Sequence, residues 1–390
     1  AAAPYLSVLQ GELDADPRLL ACANGTLELP RVPAGGDVGD APQVWLRAAD
    51  KGDLITRHAP TSWRDGAECP RVRALIEEIL PDPDVRGFLQ RWLGYCLTGE
   101  TGEQKAVFLY GQGANGKSTL LNVLRGVLGD YVATLPFAAI GHDQYRSADK
   151  ATPDLMGLPG ARIALASEPE VGAQLSESRI KEQAGGEPIN VRALFGDMTT
   201  IQPTHKLMVS FNQKPKILGQ DAGIWRRIAL VPFDVTIPEE RRRPTLARDI
   251  LRDEAAGVFA WLVDGFYLWR EQGLEVPEVV KAETAEYRRA SDPLAEFFDQ
   301  CTELLDPRPA PGEVPQFWKT TSAELWNAYQ AWAKANAVEP VSQTRFGKIV
   351  VEKVGGGRFK AKMNGGRIGY LGIRVVLENV PQDQDYGGRP

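Results

Sequence analysis

Apolar positions recur along this chain with helical spacing in some stretches and as short continuous runs in others, and the changeover divides it. Over 69–97 the spacing is helical. Val72, Leu75, Ile76 and Ile79 share a face, Pro81 and Pro83 interrupt, and Val85, Phe88, Leu89, Trp92, Leu93 and Cys96 resume the pattern. Two helices are predicted there. Residues 1–60 are irregular and rich in Gly, Pro and Asp, with brief apolar runs such as 25–29. The middle of the chain alternates short apolar runs with helical stretches, as an α/β sheet requires. Strands are predicted over 106–110, 131–135, 162–167, 206–211 and 228–233. Two further runs, 189–195 and 199–204, flank Gly196 and Asp197 and read as a β-hairpin.

Beyond the last strand, Leu246, Ile250, Leu251, Val258, Phe259, Leu262 and Phe266 return to helical spacing and predict a helical lid. A Pro-rich stretch over 306–315 reads as a linker. A small module comes after it, with helices over 322–335 and 342–351, three consecutive glycines at 355–357, and two short strands reaching 376. The expected organisation is therefore a mostly helical N-terminal region (1–100), an α/β core (101–240), a helical lid (241–305), a small C-terminal domain (316–378) and a disordered tail (379–390).

Bulk properties narrow the class. A length of 390 residues suggests two or three domains, and 43% hydrophobic with 25% charged residues is the composition of a soluble globular protein. No run of 18 apolar residues and no signal-peptide pattern is present, so no membrane association is expected. The chain opens on Ala rather than Met, which suggests missing sequence upstream. Cys22, Cys69, Cys96 and Cys301 are scattered and accompanied by three His, so a zinc site is not expected, and reduced thiols in a cytoplasm are. The net charge of −6 excludes a uniformly basic coat for nucleic acid but not a local basic channel. One candidate is 341–374, with eight basic residues against one acid, Glu352.

The chemistry begins at 111–118. Gly111-Gln112-Gly113-Ala114-Asn115-Gly116-Lys117-Ser118 fits G-x-x-x-x-G-K-S between a predicted strand and a predicted helix. Glycines let successive backbone N–H groups curl toward phosphate oxygens, and the helix N-terminus adds its positive end. Gly111, Gly113, Ala114, Asn115, Gly116, Lys117, Ser118 and Thr119 are the nucleotide-binding candidates, with ATP as ligand. Lys117 would neutralise the β- and γ-phosphates and Ser118 would offer a hydroxyl to Mg²⁺. The strand over 162–167 runs into Glu168, Pro169 and Glu170, and a carboxylate there can polarise the attacking water or reach Mg²⁺. Glu168 is the first candidate for the base and Glu170 the second. Asn212 ends the next strand, where an amide can hold the lytic water or merely make a turn. Arg226 and Arg227 stand just before the strand over 228–233, where a guanidinium can face a neighbouring subunit's nucleotide or form a surface ion pair.

Taken in order, these motifs resemble the superfamily 3 helicases, specifically the phage and plasmid primase-helicase family related to the poxvirus primase-helicase. The matching segments are 111–118 (Walker A), 165–168 (Walker B), 180–192 (the B′ region), 207–212 (motif C) and Trp225-Arg226-Arg227-Ile228. Outside the core, 24–29 resembles the start of the family's region preceding the helicase. Residues 325–332 and 346–370 are similar to its winged-helix-like module. The resemblance implies an AAA+-like P-loop ATPase with parallel sheet, assembled as a homo-oligomeric, hexameric ring on single-stranded or forked DNA. It implies Lys117, Glu168, Asn212 and Arg227 as catalytic groups, with Ser118 and Glu168 at Mg²⁺ and Arg227 matching the finger better than Arg226. It further implies DNA replication in a phage, plasmid or related element within a bacterial cytoplasm, with a linked or separate primase as companion.

Two departures stand out. Walker B ends in Glu-Pro-Glu rather than two adjacent acids, which leaves the roles of Glu168 and Glu170 open. The hairpin turn has no Lys or His, so Lys181, Arg192, His205 or a stacking Phe195 are the DNA-contact candidates. In the C-terminal module Arg358, Lys360, Lys362 and Arg367 form a basic wing suited to phosphates. Two rival readings are an initiator or scaffold whose ATPase only drives ring formation, and a monomeric P-loop kinase.

Overall fold

Five of the apolar runs align as one parallel sheet. The computed structural model describes residues 8–31, 43–142, 152–167, 173–192, 196–217, 221–307, 309–363 and 366–381. The sheet strands are β4 (Ala106–Tyr110), β5 (Val132–Thr134), β6 (Ile163–Ser167), β10 (Lys206–Phe211) and β12 (Ile228–Pro232), in the spatial order β12-β4-β10-β6-β5. Every residue of β10 and β12 is buried. Strands covered on both faces read as continuous apolar runs, which is why they stand out in the sequence. Tyr110 pairs with Phe211 and with Pro232, while Ser210 pairs with Ser167. The C-terminal ends of β4, β10, β6 and β12 therefore open on one edge, where parallel sheets place their ligands. A mixed α/β fold around this sheet is consistent with a P-loop-type core.

The N-terminal region is less helical than its sequence suggested. Three short antiparallel strands, β1 (Leu19–Cys22), β2 (Gly25–Glu28) and β3 (Trp45–Arg47), form a sheet ahead of α1 (Pro70–Ile79) and α2 (Pro83–Tyr95). The β1–β2 hairpin turns at Ala23 and Asn24, and the Asn24 side chain fixes that turn by accepting from the Trp63 N–H and donating to its carbonyl. At Gly25 (φ 148°) a Cβ would stand 2.2 Å from the Arg47 carbonyl oxygen, so only glycine allows β2 and β3 this approach.

The segment expected to be a lid is a core element. It forms α6 (Leu246–Asp253) and α7 (Ala255–Gln272), separated at the buried Glu254. Val258, Phe259, Leu262 and Phe266 of α7 are buried in the same cluster as Phe88, Leu89 and Trp92 of α2. The two helices meet backbone to backbone. A Cβ on Gly94 would lie 2.0 Å from the Phe266 nitrogen, and one on Gly265 would lie 2.2 Å from the Gln90 carbonyl oxygen. α8 (Glu278–Ser291) comes next. Between β6 and β12 lie β7 (Gln174–Leu175), α4 (Glu177–Ala184), the hairpin β8 (Ile189–Arg192) and β9 (Met198–Ile201), β11 (Lys216–Ile217) and α5 (Ala222–Trp225). α3 (Lys117–Leu128) follows β4.

A second compact unit takes in the described residues from Tyr287 to 381, together with Ile217, Asp221 and Ala222. The boundary thus precedes the Pro-rich stretch by some distance, and the 241–305 division does not hold: α9 (Ala295–Cys301) belongs with the C-terminal helices. The reason is aromatic packing. Phe297 of α9 contacts Tyr329 and Trp332 of α10 (Ser322–Ala335) and Phe346 of α11 (Gln343–Lys353), with ring centroids 5.3 to 6.3 Å apart. The unit is completed by β13 (Thr302–Leu304) paired with β17 (Ile373–Val375), and by a three-stranded antiparallel sheet of β14 (Lys319–Thr321), β16 (Ile368–Leu371) and β15 (Lys360–Lys362). The expected tail lies outside the described residues from 382 onward.

Candidate functional site

At the C-terminal edge of β4 the chain makes the loop that the G-x-x-x-x-G-K-S spacing predicts. Gly113 (φ 101°), Ala114 (φ 49°) and Gly116 (φ 77°) take left-handed conformations, and α3 starts at Lys117. Gly111 and Gly116 are required for space as well as curvature. A Cβ at Gly111 would sit 2.4 Å from the Phe233 carbonyl oxygen, and one at Gly116 would sit 2.5 Å from the Ile79 side chain. Asn115 is buried, and its Nδ2 donates to the Phe233 carbonyl at 3.2 Å. The Ile237 N–H donates to the Ala114 carbonyl at 2.8 Å, which ties the loop to the chain leaving β12. Lys117 is buried at the head of α3, and its Nζ donates to the Gly111 carbonyl and to Asn212 Oδ1, the latter at 3.2 Å. Ser118 and Thr119 stand on the first turn and line the same cavity.

That cavity is about 700 Å³. Its floor is 113–119, with Ser210 and Asn212 at the end of β10. Its other walls are ones that sequence reasoning missed. Arg71, Ala74, Leu75 and Glu78 of α1 face it, spaced as one helical stripe, and so do Ile237, Glu240, Arg241, Arg242, Arg243, Pro244 and Leu246. Arg241 pairs with Glu78 at 2.6 Å, and the Arg242 Nε donates to the Ile237 carbonyl at 2.9 Å. The run of three arginines was visible in the sequence. Its place beside the loop was not, because tertiary packing brings it there.

The remaining candidates divide. β6 leaves the sheet at Ser167, level with Ser210, so the chain continues from the same edge as Lys117 and Asn212. Glu168 and Glu170 themselves lie outside the described residues, as does Phe195. Arg227 is at the opposite edge. It immediately precedes Ile228, which pairs with Ala106 at the start of β4. At about 3.3 Å per residue, roughly 15–20 Å of strand separates it from the loop of its own chain. Its guanidinium donates to the Gly223 carbonyl at 2.6 Å and to Gln104 Oε1 at 3.4 Å. Arg226 is exposed.

Among the DNA-contact candidates, His205 is overturned. It is buried, its Nε2 is 3.0 Å from Gln183 Oε1, and burial beside Lys206 pushes its pKa down to about 4. A neutral buried ring cannot hold a phosphate. Lys206 next to it is equally buried, with Nζ donating to the Thr98 carbonyl and lying 4.7 Å from the Tyr95 ring centre, and burial lowers its pKa to about 7. Lys181 is half-buried on α4, and Arg192 is exposed at the end of β8 with its Nε donating to the Gly196 carbonyl at 3.1 Å. In the C-terminal unit Lys360 and Lys362 are exposed on one face of β15, in register with Tyr370 and Ile368 of β16. The side chain of Arg358 lies outside the described residues. Two other basic residues of that stretch are paired internally, Lys353 with Asp292 at 2.6 Å and Arg374 with Glu303 at 2.5 Å.

A five-stranded parallel α/β sheet with this loop at its edge defines the class, and comparison with known proteins adds the kinship. Residues 1–81 match the family described as D5 N terminal like. A protein of Acanthamoeba polyphaga mimivirus named as a helicase, L207/L206, is 28% identical over 251 residues, covering 60% of this chain and 26% of the relative. C962R of African swine fever virus (strain Badajoz 1971 Vero-adapted), named as a primase, is 24% identical over 343 residues, covering 83% of this chain and 34% of the relative. The chain thus spans about a quarter to a third of the length of these curated relatives. A solved apo structure of the NrS-1 C terminal region shares the fold, with a TM-score of 0.51 at 15% identity, over 82% of this chain and 79% of that one. The chain fits the primase-helicase family that its motifs resemble. These relatives are viral proteins, so they lend no support to a bacterial cytoplasm. Among the described residues no helix is long and apolar enough to cross a membrane.

Proposed function

We propose that this chain is the ATPase motor of a superfamily 3 DNA helicase, working as a ring on single-stranded or forked DNA during replication of a virus, phage, plasmid or related element. The observation that carries this reading is Lys117, buried with its ammonium held between the Gly111 carbonyl and Asn212 at the mouth of a nucleotide-sized cavity. Loop N–H groups and the start of α3 receive the phosphates, Lys117 balances their charge, and Asn212 orients the attacking water. Glu168, with Glu170 as alternative, takes that water's proton. Mg²⁺ fits the donor set, since Ser118 lines the cavity beside Lys117 and such sites are completed by phosphates and a carboxylate; when bound it neutralises charge on the β- and γ-phosphates.

Arg227 is too far from its own loop to serve it, and this supports a shared site in which it reaches the nucleotide of the next subunit. The number of subunits proposed is six. The C-terminal unit acts as a winged-helix-like module that meets DNA through Lys360 and Lys362. A linked or separate primase is the proposed companion of this motor.

Strand displacement on a forked DNA with ATP tests the reading. ATP-dependent displacement is expected. Hydrolysis without displacement would favour the initiator or scaffold, and ATP turnover with phosphate appearing on an acceptor would favour the kinase.

A further inference from the structure

The region matched as D5 N terminal like ends in α1, and α1 is a wall of the nucleotide cavity. Ala74 and Leu75 present apolar side chains to the space beyond the loop, and Ile237, Pro244 and Leu246 present theirs from the chain after β12. Phosphates have no use for such walls. The loop already supplies N–H donors and Lys117 for them, while apolar groups on two sides suit a flat heteroaromatic ring. Two ion pairs fasten α1 to the chain after β12: Glu78 with Arg241 of the cavity wall at 2.6 Å, and Arg71 with Asp253 at the end of α6 at 2.7 Å. The wall is therefore built in, with one end of α1 held by Arg241 of the lining segment and the other by α6, which follows it.

We infer that α1 seats the nucleobase, so the D5 N terminal-like region is a working part of the nucleotide site and not an appendage to the motor. This rests on the proposed reading of the loop as a triphosphate site. Ligand selection then divides along the cavity, with the triphosphate gripped by 111–119 and the nucleoside gripped between α1 and residues 237–246. The loop sets how many phosphates bind, and α1 sets whether a base is attached.

The test is a pair of phenylalanine substitutions on α1, titrated with Mg²⁺-ATP and with Mg²⁺-tripolyphosphate. Ala74 is exposed and faces the cavity, so A74F fills the base slot without disturbing the core. Glu77 is exposed one residue off the stripe, so E77F carries the same ring on the same helix away from the slot. A74F is expected to weaken ATP binding by about tenfold or more and to leave tripolyphosphate binding unchanged; E77F is expected to leave both unchanged. Retained tripolyphosphate binding also reports that A74F is folded. Unchanged ATP affinity in A74F overturns the inference, and so does an equal loss of both ligands, which would mean that α1 acts on the loop. If the unsubstituted protein binds neither ligand, the triphosphate site itself is refuted, and the inference falls with it.

Discussion

Lys117 and Asn212 meet across the sheet edge: the ammonium that heads α3 donates to the amide oxygen that ends β10, at 3.2 Å. The contact joins the start of a helix to the end of a strand, nearly 100 residues apart in the chain. A charge placed there by the helix is aimed by the strand end, so the two residues should fail differently when replaced.

Lys117→Ala removes the charge that opposes the phosphates. Nucleotide binding and hydrolysis are both expected to be lost. Asn212→Ala leaves that charge in place and removes the group that orients water. ATP affinity should change little while turnover falls by roughly 10²-fold, the scale of losing one aligned polar group. Equilibrium binding of a fluorescent ATP analogue, measured beside phosphate release, separates the two effects.

Arg227→Ala should bind ATP normally and lose roughly 10³-fold or more in turnover. Because the residue is proposed to act on a neighbour, adding the variant to unsubstituted protein should depress activity by more than its molar share. Phosphate release across a mixing series measures this; a linear decline would place Arg227 outside the reaction.

Lys206 supplies a pH signature. Its pKa is lowered to about 7 by burial, whereas in the unfolded chain it returns to the ordinary lysine value near 10.5. Between those values the unfolded state holds a proton that the folded state has released, so stability rises with pH through the window. Above pH 9 the buried Cys96 opposes this, because burial raises its thiol to about 12. Urea midpoints for the unsubstituted protein minus those for Lys206→Met should therefore increase from pH 7 to 9. A flat difference would mean that Lys206 keeps its proton.

Gly94→Ala tests the α2–α7 contact. The added methyl would fall 2.0 Å from the Phe266 nitrogen and the Gly265 carbonyl carbon, and backbone cannot step aside as a side chain can. A loss of about 2–3 kcal/mol is expected from overpacking. Denaturant unfolding checks it, with Gly102→Ala as a control at a glycine with open space around it.

Lys360→Ala combined with Lys362→Ala should weaken DNA binding more at low salt than at high. Each phosphate no longer neutralised flattens the salt slope by about 0.7 on single strands. Fluorescence anisotropy over a salt series reads this directly. An unchanged slope would remove β15 from the DNA path.

Much of the core was legible because its signals are local. The loop at 111–118 is one contiguous peptide, and β4, β6, β10 and β12 each carry an apolar run because both faces are covered. Other features depend on distant partners. Strands of three or four residues near the N-terminus have too few positions to show a period, and their pairing is set by Asn24 and Gly25. His205 looked available because its residue type suits phosphate; Gln183, more than 20 residues earlier, is its buried hydrogen-bond partner. The α7 stretch reads as an independent helix until Gly94 and Gly265 bring α2 against its backbone. Phe297 sits on the near side of the Pro-rich stretch, and its contacts with Tyr329, Trp332 and Phe346 beyond that stretch show which unit it joins.

Glu254 interrupts α6 and α7, and its carboxylate accepts the Arg71 N–H at 3.0 Å and the Val72 N–H at 3.4 Å, serving as the cap of a helix that begins more than 180 residues earlier. A helix start left without such an acceptor keeps unsatisfied donors and a partial positive charge. The boundary at residue 81 is thus a seam in sequence but not in structure. Transplanting the N-terminal region from a relative would have to bring along the match for Glu254 and Arg241, and a chimera lacking them would inherit α1 as a frayed segment rather than a wall.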